Sequence, residues 1–393
     1  MKNSTIVYCL LLCFFLSACS DLKEDTSQVK TFDEHFQTDE EVRNFILPVY
    51  TTLSADYYFQ EMAMMDGVIS DEIVRPAQGY IYSDGYWLNL QRHQLNPLVY
   101  EQQNFNTWSY WYYAIEQINR LLQTLQASSF PSVVEPYVAE LKVFRAFFYL
   151  QLIDKYGNVP IMEEGDLLNQ TCTSPRPEVF AFIEKSLLEN MHLLSKNKGG
   201  DYLGRMNFFV AQAMLAKLYL NAEVYRGAPA WNEAIAACDA IIGSGKFSLS
   251  GNYFDNFKID SKSSHENILV ASCFYSHCNW FPPYVFSLHG SHLGDLVGGD
   301  AGYWGNTLVV QPDFYGRYDS QDARIQCFFV GQQFDEAGNP ILDSQADSTD
   351  PDGLAINYTP EINLDFPLRQ AGIRFAKFEI DTTCINSVFD CAA

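Results

Sequence analysis

The sequence predicts a mainly α fold, a scaffold of paired helices that supports long irregular loops. Three observations predict it. Apolar residues recur at three- and four-residue spacing through much of the chain before Gly243, the period of one buried helix face. Gly and Pro stand where those runs stop, as helix ends require. Beyond Gly243 the period is lost, and aromatics, Gly, Pro, Asn and His dominate 253–318.

The chain opens on a leader rather than on the scaffold. Lys2 is followed by the apolar run Ile6 to Leu16, eleven residues long. Crossing a bilayer takes about 20 apolar residues, so this run fits the apolar part of a signal peptide. Leu16-Ser17-Ala18-Cys19 resembles the lipobox of bacterial lipoproteins. Small residues at 17 and 18 let a peptidase reach the backbone before Cys19, whose thiol would carry a thioether-linked diacylglycerol. Residues 1–18 are then a signal peptide, and 19–30 the lipidated Cys and a flexible tether. A single acyl chain holds a protein to a membrane only marginally, so a firm anchor needs more than one.

Trp108, Trp111, Tyr112, Ile115, Ile118 and Leu122 mark the first strong helix, with both tryptophans at core spacing. Val138, Leu141, Phe144, Phe148 and Leu152 mark the second, which stops at Tyr156-Gly157-Asn158-Val159-Pro160. A third runs from 176 to about 194 through Val179, Phe180, Ile183, Leu187 and Leu194. A helical hairpin follows. Its first arm, 206–225, carries Ala211, Met214, Leu215, Leu218 and Tyr219, and its loop is Arg226-Gly227-Ala228-Pro229. Its second arm, 231–242, shows Trp231, Ala234, Ile235, Cys238, Ile241 and Ile242, with Cys238 expected as a buried thiol. Small Ala residues at crossing points with an aromatic near each end resemble a tetratricopeptide repeat. Residues 332–365 are polar and turn-rich. Such long connections are usually functional when they are not disordered, and disorder is aromatic-poor.

The net charge of −23 argues against nucleic acid and against adhesion to anionic lipid. It is compatible with uncharged ligands. Seven cysteines remain after Cys9, Cys13 and Cys19: Cys172, Cys238, Cys273, Cys278, Cys327, Cys384 and Cys391. An odd, irregularly spaced set is no disulfide framework.

Signatures of catalysis and of metals are poor. No Gly-x-Ser-x-Gly elbow occurs. Gly243-Ser244-Gly245-Lys246 is followed by Phe247, where a phosphate loop needs Ser or Thr. His277-Cys278 and His289-x-x-His292 match no zinc spacing. Asp350-x-Asp352-Gly353 imitates the middle of a calcium loop, but Ser348 and Thr359 stand at two ligand positions. No cofactor is expected, with a loose calcium site as the one opening.

Longer segments carry a resemblance to the SusD/RagB family of surface glycan-binding lipoproteins. They are "SDEIVRP…SDGYWLNLQRH" (70–93), "WSYWYYAIEQINRLL" (108–122), "ELKVFRAFFYLQLIDKYGNVPI" (140–161), "AQAMLAKLYLNAEVY" (211–225) and "WNEAIAACDAIIGSGKFSL" (231–249). The pattern from Arg145 to Pro160, Arg-Ala-x-x-Tyr-x-x-Leu…Tyr-Gly-x-Val-Pro, is the most diagnostic. The resemblance implies one domain over 31–393: a tetratricopeptide-like scaffold to about 250, then a loop-rich ligand-binding region over about 251–365. It implies a binder, not an enzyme, held by its lipid on the outside of the outer membrane. It also implies a partner, a TonB-dependent SusC-like transporter to which glycan is passed. Family members usually carry another helical pair near the C-terminus, and that pair is expected to be missing here.

A sugar site needs flat aromatic platforms and a few fixed polar groups. Tyr86, Trp87, Trp280, Tyr284, Tyr303 and Trp304 sit beside Gly, Pro and Asn and are the platform candidates; ordinary loop packing is the other reading of each. Asp71, Arg75 and Asn89 lie in the segment resembling the family's binding-side loops and could hold hydroxyls, or serve local turns and ion pairs. Two other classes stand beside the binder. A surface glycoside hydrolase would need two carboxylates about 5 to 9.5 Å apart, and 48 acidic residues do not single out a pair. A docking scaffold would have no ligand of its own.

Overall fold

The structure is a computed structural model, and it describes residues 35–54, 57–76, 85–94, 97–166, 172–258, 264–271, 287–297, 307–343, 355–364 and 370–379. Helix α1 (Asp39–Ile46) opens with a capping box: the Thr38 hydroxyl accepts from the Glu41 N–H, and the Glu41 carboxylate accepts from the Thr38 N–H. Helix α2 (Tyr57–Ile69) buries Met64, Met65 and Val68. After the short α3 (Tyr86–Gln91) come the two longest helices, α4 (Pro97–Gln126) and α5 (Pro131–Tyr156). Four residues join them, so they pack antiparallel.

Helix α5 is the axis of the molecule. It packs on α4 on one side and on α6 (Arg176–Asn190) on the other, and its buried residues lie on almost every side. A helix buried all round sits at the centre of its fold. It stops at Gly157, whose φ of 76° suits glycine. A Cβ there would lie 2.5 Å from Arg176 Nη2, so the chain reversal leading to α6 has no room for a side chain. The stack continues through α7 (Phe208–Leu220), the short α8 (Ala222–Arg226) and α9 (Trp231–Ile242), with α9 packed along α7.

Charges inside this stack are paired. Glu140 of α5 receives both Arg205 Nε at 2.8 Å and Arg205 Nη2 at 2.5 Å, and the Tyr50 hydroxyl donates to the same carboxylate at 2.5 Å. Tyr50 in turn accepts from the Met206 N–H at 2.9 Å. On another side of α5, Arg145 donates to Asn119 Oδ1 at 2.7 Å and lies 3.4 Å from Glu164. Asn119 donates onward to the carbonyls of Met162 and Glu163. Tyr149 accepts from the Met162 N–H at 2.7 Å, and Tyr112 donates to the Pro160 carbonyl at 2.7 Å. The motif from Arg145 to Pro160 is thus a fastening that ties the segment after α5 back onto α4 and α5.

Several expectations are corrected. The third helix ends at Asn190 and tightens into a 3-10 turn. The first arm of the hairpin breaks at Asn221 into α7 and α8. Within 253–318 an eight-residue helix, α10 (Gly290–Val297), appears. Cys238 is exposed, not buried. Helix α9 buries Ala234, Ala237 and Ile241 against α7, while Trp231, Ile235 and Ile242 are 49%, 57% and 72% exposed. Its apolar arc is wider than the part that is covered.

Two-residue antiparallel strands stitch the connections between helices and the region beyond α9. Strand β1 (Ile73–Val74) pairs with β4 (Val309–Val310), β2 (Val159–Pro160) with β3 (Thr173–Ser174), β5 (Phe328–Phe329) with β8 (Arg374–Phe375), and β6 (Gly331–Gln332) with β7 (Asn357–Tyr358). A bridge between Val310 and Ile373 joins β4 to the approach of β8, so the end of α2 and the late chain share one patch.

The Glu140–Arg205 pair yields a test. Glu140→Gln leaves a buried guanidinium without its counter-charge, a change that costs about 3 to 5 kcal/mol. Urea denaturation is expected to show that loss in full, whereas Glu116→Gln on the exposed side of α4 should change stability by less than about 1 kcal/mol.

Candidate functional site

The chain leaves α2 through a turn in which the Glu72 N–H bonds the Gly67 carbonyl at 3.0 Å, and Asp71 takes a left-handed φ of 61°. Asp71 is exposed there, in a left-handed conformation that Asp tolerates better than most residues. Strand β1 follows, and Arg75 turns inward. Its guanidinium lies 5.0 Å from the centroid of the Trp87 ring. Trp87 meets Tyr86 edge-on at 5.2 Å, and the Tyr86 hydroxyl reaches Met65 Sδ at 3.7 Å. Arg75, Tyr86 and Trp87 are 4%, 2% and 5% exposed. Expected as part of a binding surface, they are core residues here: α3 lays both rings under the chain, and the cation covers one of them. Asn89 on the next turn stays half-buried. Trp280, Tyr284, Tyr303 and Trp304 lie outside the described residues, as do Cys19 and the Asp350–Asp352 motif.

What the described residues do show is the frame from which those aromatic segments depart. Ser287 and Thr307, the residues that follow 272–286 and 298–306, are both buried. Ser287 Oγ accepts from the Phe375 N–H at 2.9 Å. Two residues on, the His289 ring is flanked on both sides: Nε2 lies 3.2 Å from Asp343 Oδ2, and Nδ1 accepts from the Ser291 N–H at 3.2 Å. The His289 N–H donates to the Tyr358 hydroxyl at 3.0 Å, and that hydroxyl sits 3.0 Å from His292 Nδ1. Arg374, fully buried, lies 5.2 Å from the centroid of the Tyr358 ring. Gly372, at φ 94°, passes so close to β4 that a Cβ would lie 2.6 Å from Val309 Cγ1.

The electrostatics follow from burial. Burial, with His289 close by, lowers His292 to about 4. Burial raises Tyr358 to about 12 and lowers Arg374 to about 10. Tyr358 has one proton to give. It accepts from the His289 N–H and shares a second hydrogen bond with His292 Nδ1, whose imidazole burial keeps neutral. Ser287, His289 and Asp343 invite comparison with a catalytic triad, but all three are buried, and the His289 ring faces Asp343 with one nitrogen and the Ser291 N–H with the other. The histidine pair seen in the sequence is a structural clamp. Its partners, Asp343 and Tyr358, come from more than fifty residues away, which is why spacing gave no hint of them. Among the described residues no group of three or more His, Cys, Asp and Glu is placed to hold a metal ion, and no helix is long and apolar enough to cross a membrane.

Comparison with known proteins agrees with this architecture. A SusD-like family model, described as "Starch-binding associating with outer membrane", matches residues 21–220, just over half of the chain. SusD-like protein P25 of Formosa agariphila is 21% identical over 285 residues, covering 68% of this chain and 51% of that protein. The chain thus spans about half the length of this curated relative. Among solved structures, surface glycan-binding protein A from Bacteroides thetaiotaomicron superposes with a TM-score of 0.63 at 18% identity, covering 91% of this chain and 74% of the other. The same protein in complex with laminarihexaose gives a TM-score of 0.61 at 17% identity, with 90% and 74% covered. These two share the fold.

The clamp has a pH signature. The folded state holds His292 at about 4 against an ordinary 6.5. Between those values the unfolded chain binds the extra proton, so stability is whole above pH 6.5 and falls as pH drops toward 4. The expected loss is up to about 3 kcal/mol. Denaturation at pH 6.5, 5.5 and 4.5 should show it, with a shallower dependence in His292→Gln.

Proposed function

The chain belongs to the SusD-like family, and from that premise we propose that it is a cell-surface lipoprotein that captures oligosaccharide or polysaccharide and passes it to a TonB-dependent, SusC-like transporter in the outer membrane. The observation that carries the proposal is the family match over residues 21–220, which begins two residues past the lipobox cysteine. Residues 1–18 act as the signal peptide, Cys19 takes the lipid, and the stretch to residue 30 is the tether. Residues 31–393 form one domain on the outer face of the cell.

The fold supports a division of labour. The paired helices are rigidly cross-linked through Glu140 and Arg145, and the late segments leave from a buried polar frame. A rigid frame holds a recognition surface in place without spending binding energy on ordering it. The acidic charge of −23 suits a neutral glycan and disfavours polyanions. The function requires neither a catalytic residue nor a cofactor. Asp71 and Asn89 remain the polar candidates at the rim, with Trp280, Tyr284, Tyr303 and Trp304 as platforms. A solved structure of the same fold holds laminarihexaose, a neutral β-glucan oligomer, which makes laminarin and starch the first ligands to try.

Affinity electrophoresis of residues 20–393 through gels containing laminarin, soluble starch or other neutral polysaccharides tests the binding. Retardation in at least one gel, with no reducing ends released, is expected. Release of reducing ends would make the protein a hydrolase, and an intact transporter complex without any retardation would make it a docking scaffold. If Trp280 and Trp304 are platforms, Trp280→Ala and Trp304→Ala each weaken binding by about 1 to 3 kcal/mol with the melting temperature unmoved. Variants that melt early but bind normally would show that both rings are packing. For the anchor, Cys19→Ala should abolish incorporation of labelled fatty acid; continued labelling would refute it.

A further inference from the structure

Along α4, the structure carries a groove that the proposed glycan-binding loops do not include. It is about 390 Å³ in volume and runs between α4 and the turn that follows α1. That is within the range of small-ligand sites, roughly 300 to 1,000 Å³. On α4, Tyr110, Tyr113, Gln117 and Arg120 recur at helical spacing along its floor, opposite Phe45 and Thr51. The sequence pattern explains why this face exists. Trp111, Ile115, Ile118 and Leu122 bury one side of α4, so the residues between them form a second stripe facing out.

That stripe is not an ordinary solvated face. Its aromatic pair, Tyr110 and Tyr113, has ring centroids 6.5 Å apart at 33°. Tyr110 is pinned, its hydroxyl donating to the Thr52 carbonyl at 2.9 Å, which closes one end of the groove. Tyr113 is 53% exposed, although it stands beside a helix–turn junction that could have covered it. Neither the Tyr113 hydroxyl nor the Gln117 amide makes a hydrogen bond among the described residues. Arg120 pairs with Glu116 at 2.6 Å through one nitrogen, which leaves further N–H donors in its fork. No carboxylate lines the groove, so it is not built for a cation.

We infer that this groove is a second saccharide subsite, binding one end of a short neutral oligosaccharide. A pyranose ring stacks on the outer face of Tyr113, and its hydroxyls meet the Gln117 amide, the Tyr113 hydroxyl and the Arg120 fork. The combination is what a sugar asks for: a flat apolar surface for its C–H face, ringed by uncommitted donors and acceptors. A charged ligand fits less well, because Glu116 already offsets Arg120 and the chain as a whole is acidic. The inference rests on the glycan-binding function proposed above but places the sugar on the helical scaffold, apart from the aromatic segments after α9.

Native mass spectrometry of the intact mature chain with laminarihexaose and with maltohexaose separates the two. Two bound oligosaccharides per chain are expected for the wild type, and one for Tyr113→Ala. In the Trp280→Ala/Trp304→Ala background the groove keeps one, and adding Tyr113→Ala weakens it at least about tenfold. Gln117→Leu should weaken the same site while leaving the ring in place, and it carries the test should Tyr113→Ala prove unstable by its melting curve. A stoichiometry unchanged by both Tyr113→Ala and Gln117→Leu overturns the groove and leaves the loop site standing. A wild type that binds neither sugar overturns both.

Discussion

Two charges inside one helix govern this fold. Glu140 and Arg145 sit five residues apart on α5, pointing to different sides of a helix that is buried nearly all round. A charge taken out of water must be answered, or it costs several kcal/mol. Glu140 is answered by Arg205 and Tyr50, which draws in the turn after α1 and the segment leading into α7. Arg145 is answered by Asn119 and Glu164, which draws in α4 and the chain beyond β2. The helices could pack by their apolar faces in more than one register. These pairs are satisfied in one, so their contribution is to fix alignment more than to add stability.

The scaffold was largely legible in the sequence for a simple reason. Helices α5 and α9 carry long periodic runs with Gly157 and Gly243 at their ends, and both signals are local. What failed was non-local. The apolar arc of α9 was read correctly as an arc, but periodicity cannot say which half a neighbour covers. Small Ala234 and Ala237 let α7 approach closely, and the larger Trp231, Ile235 and Ile242 were left outside. Tyr86 and Trp87 failed in the same way. Their neighbours Gly85 and Asn89 suggested a loop, yet Gly85, at φ 74°, is the turn that starts α3, and Arg75 lies over Trp87 from the other side of an undescribed stretch. Of the candidate site, Asp71 is exposed at a turn, while Asn89 lies half-buried on α3. The clamp of His289, His292, Asp343, Tyr358 and Arg374 could not be read from the sequence, because its members come from four separate stretches of it.

The clamp also explains how so irregular a region can be held. Among the described residues, two of its apolar clusters are small: Val74, Leu88 and Val309 in one, Ile341, Ile356 and Tyr358 in another. Clusters of that size cannot offset the entropy of ordering long connections. Directional bonds in a dry interior supply the remainder, provided every member finds a partner. The strands are two residues long, so each contributes register rather than a sheet, and β1 and the Val310–Ile373 bridge tie the late chain to the end of α2.

A polar clamp has a consequence that an apolar core would not have. Leucines in place of His289, Asp343 and His292 would bury comparable area without concern for pH, but they would not dictate where the neighbouring backbone goes. The Tyr358 hydroxyl receives the His289 N–H and hydrogen-bonds His292 Nδ1, and Ser287 receives the Phe375 N–H, so backbone positions beside the aromatic-bearing segments are set to within hydrogen-bond tolerance. Stacking on a sugar ring requires positions of that order, since offset by an ångström or two the C–H face and the π face no longer meet. The scaffold groove at Tyr113 reaches the same end by another route, with its ring carried on a long helix whose opposite face is locked into the core. The recognition chemistry proposed for both places is common. The rigid support behind it is what the buried charges of α5 and the histidine clamp provide.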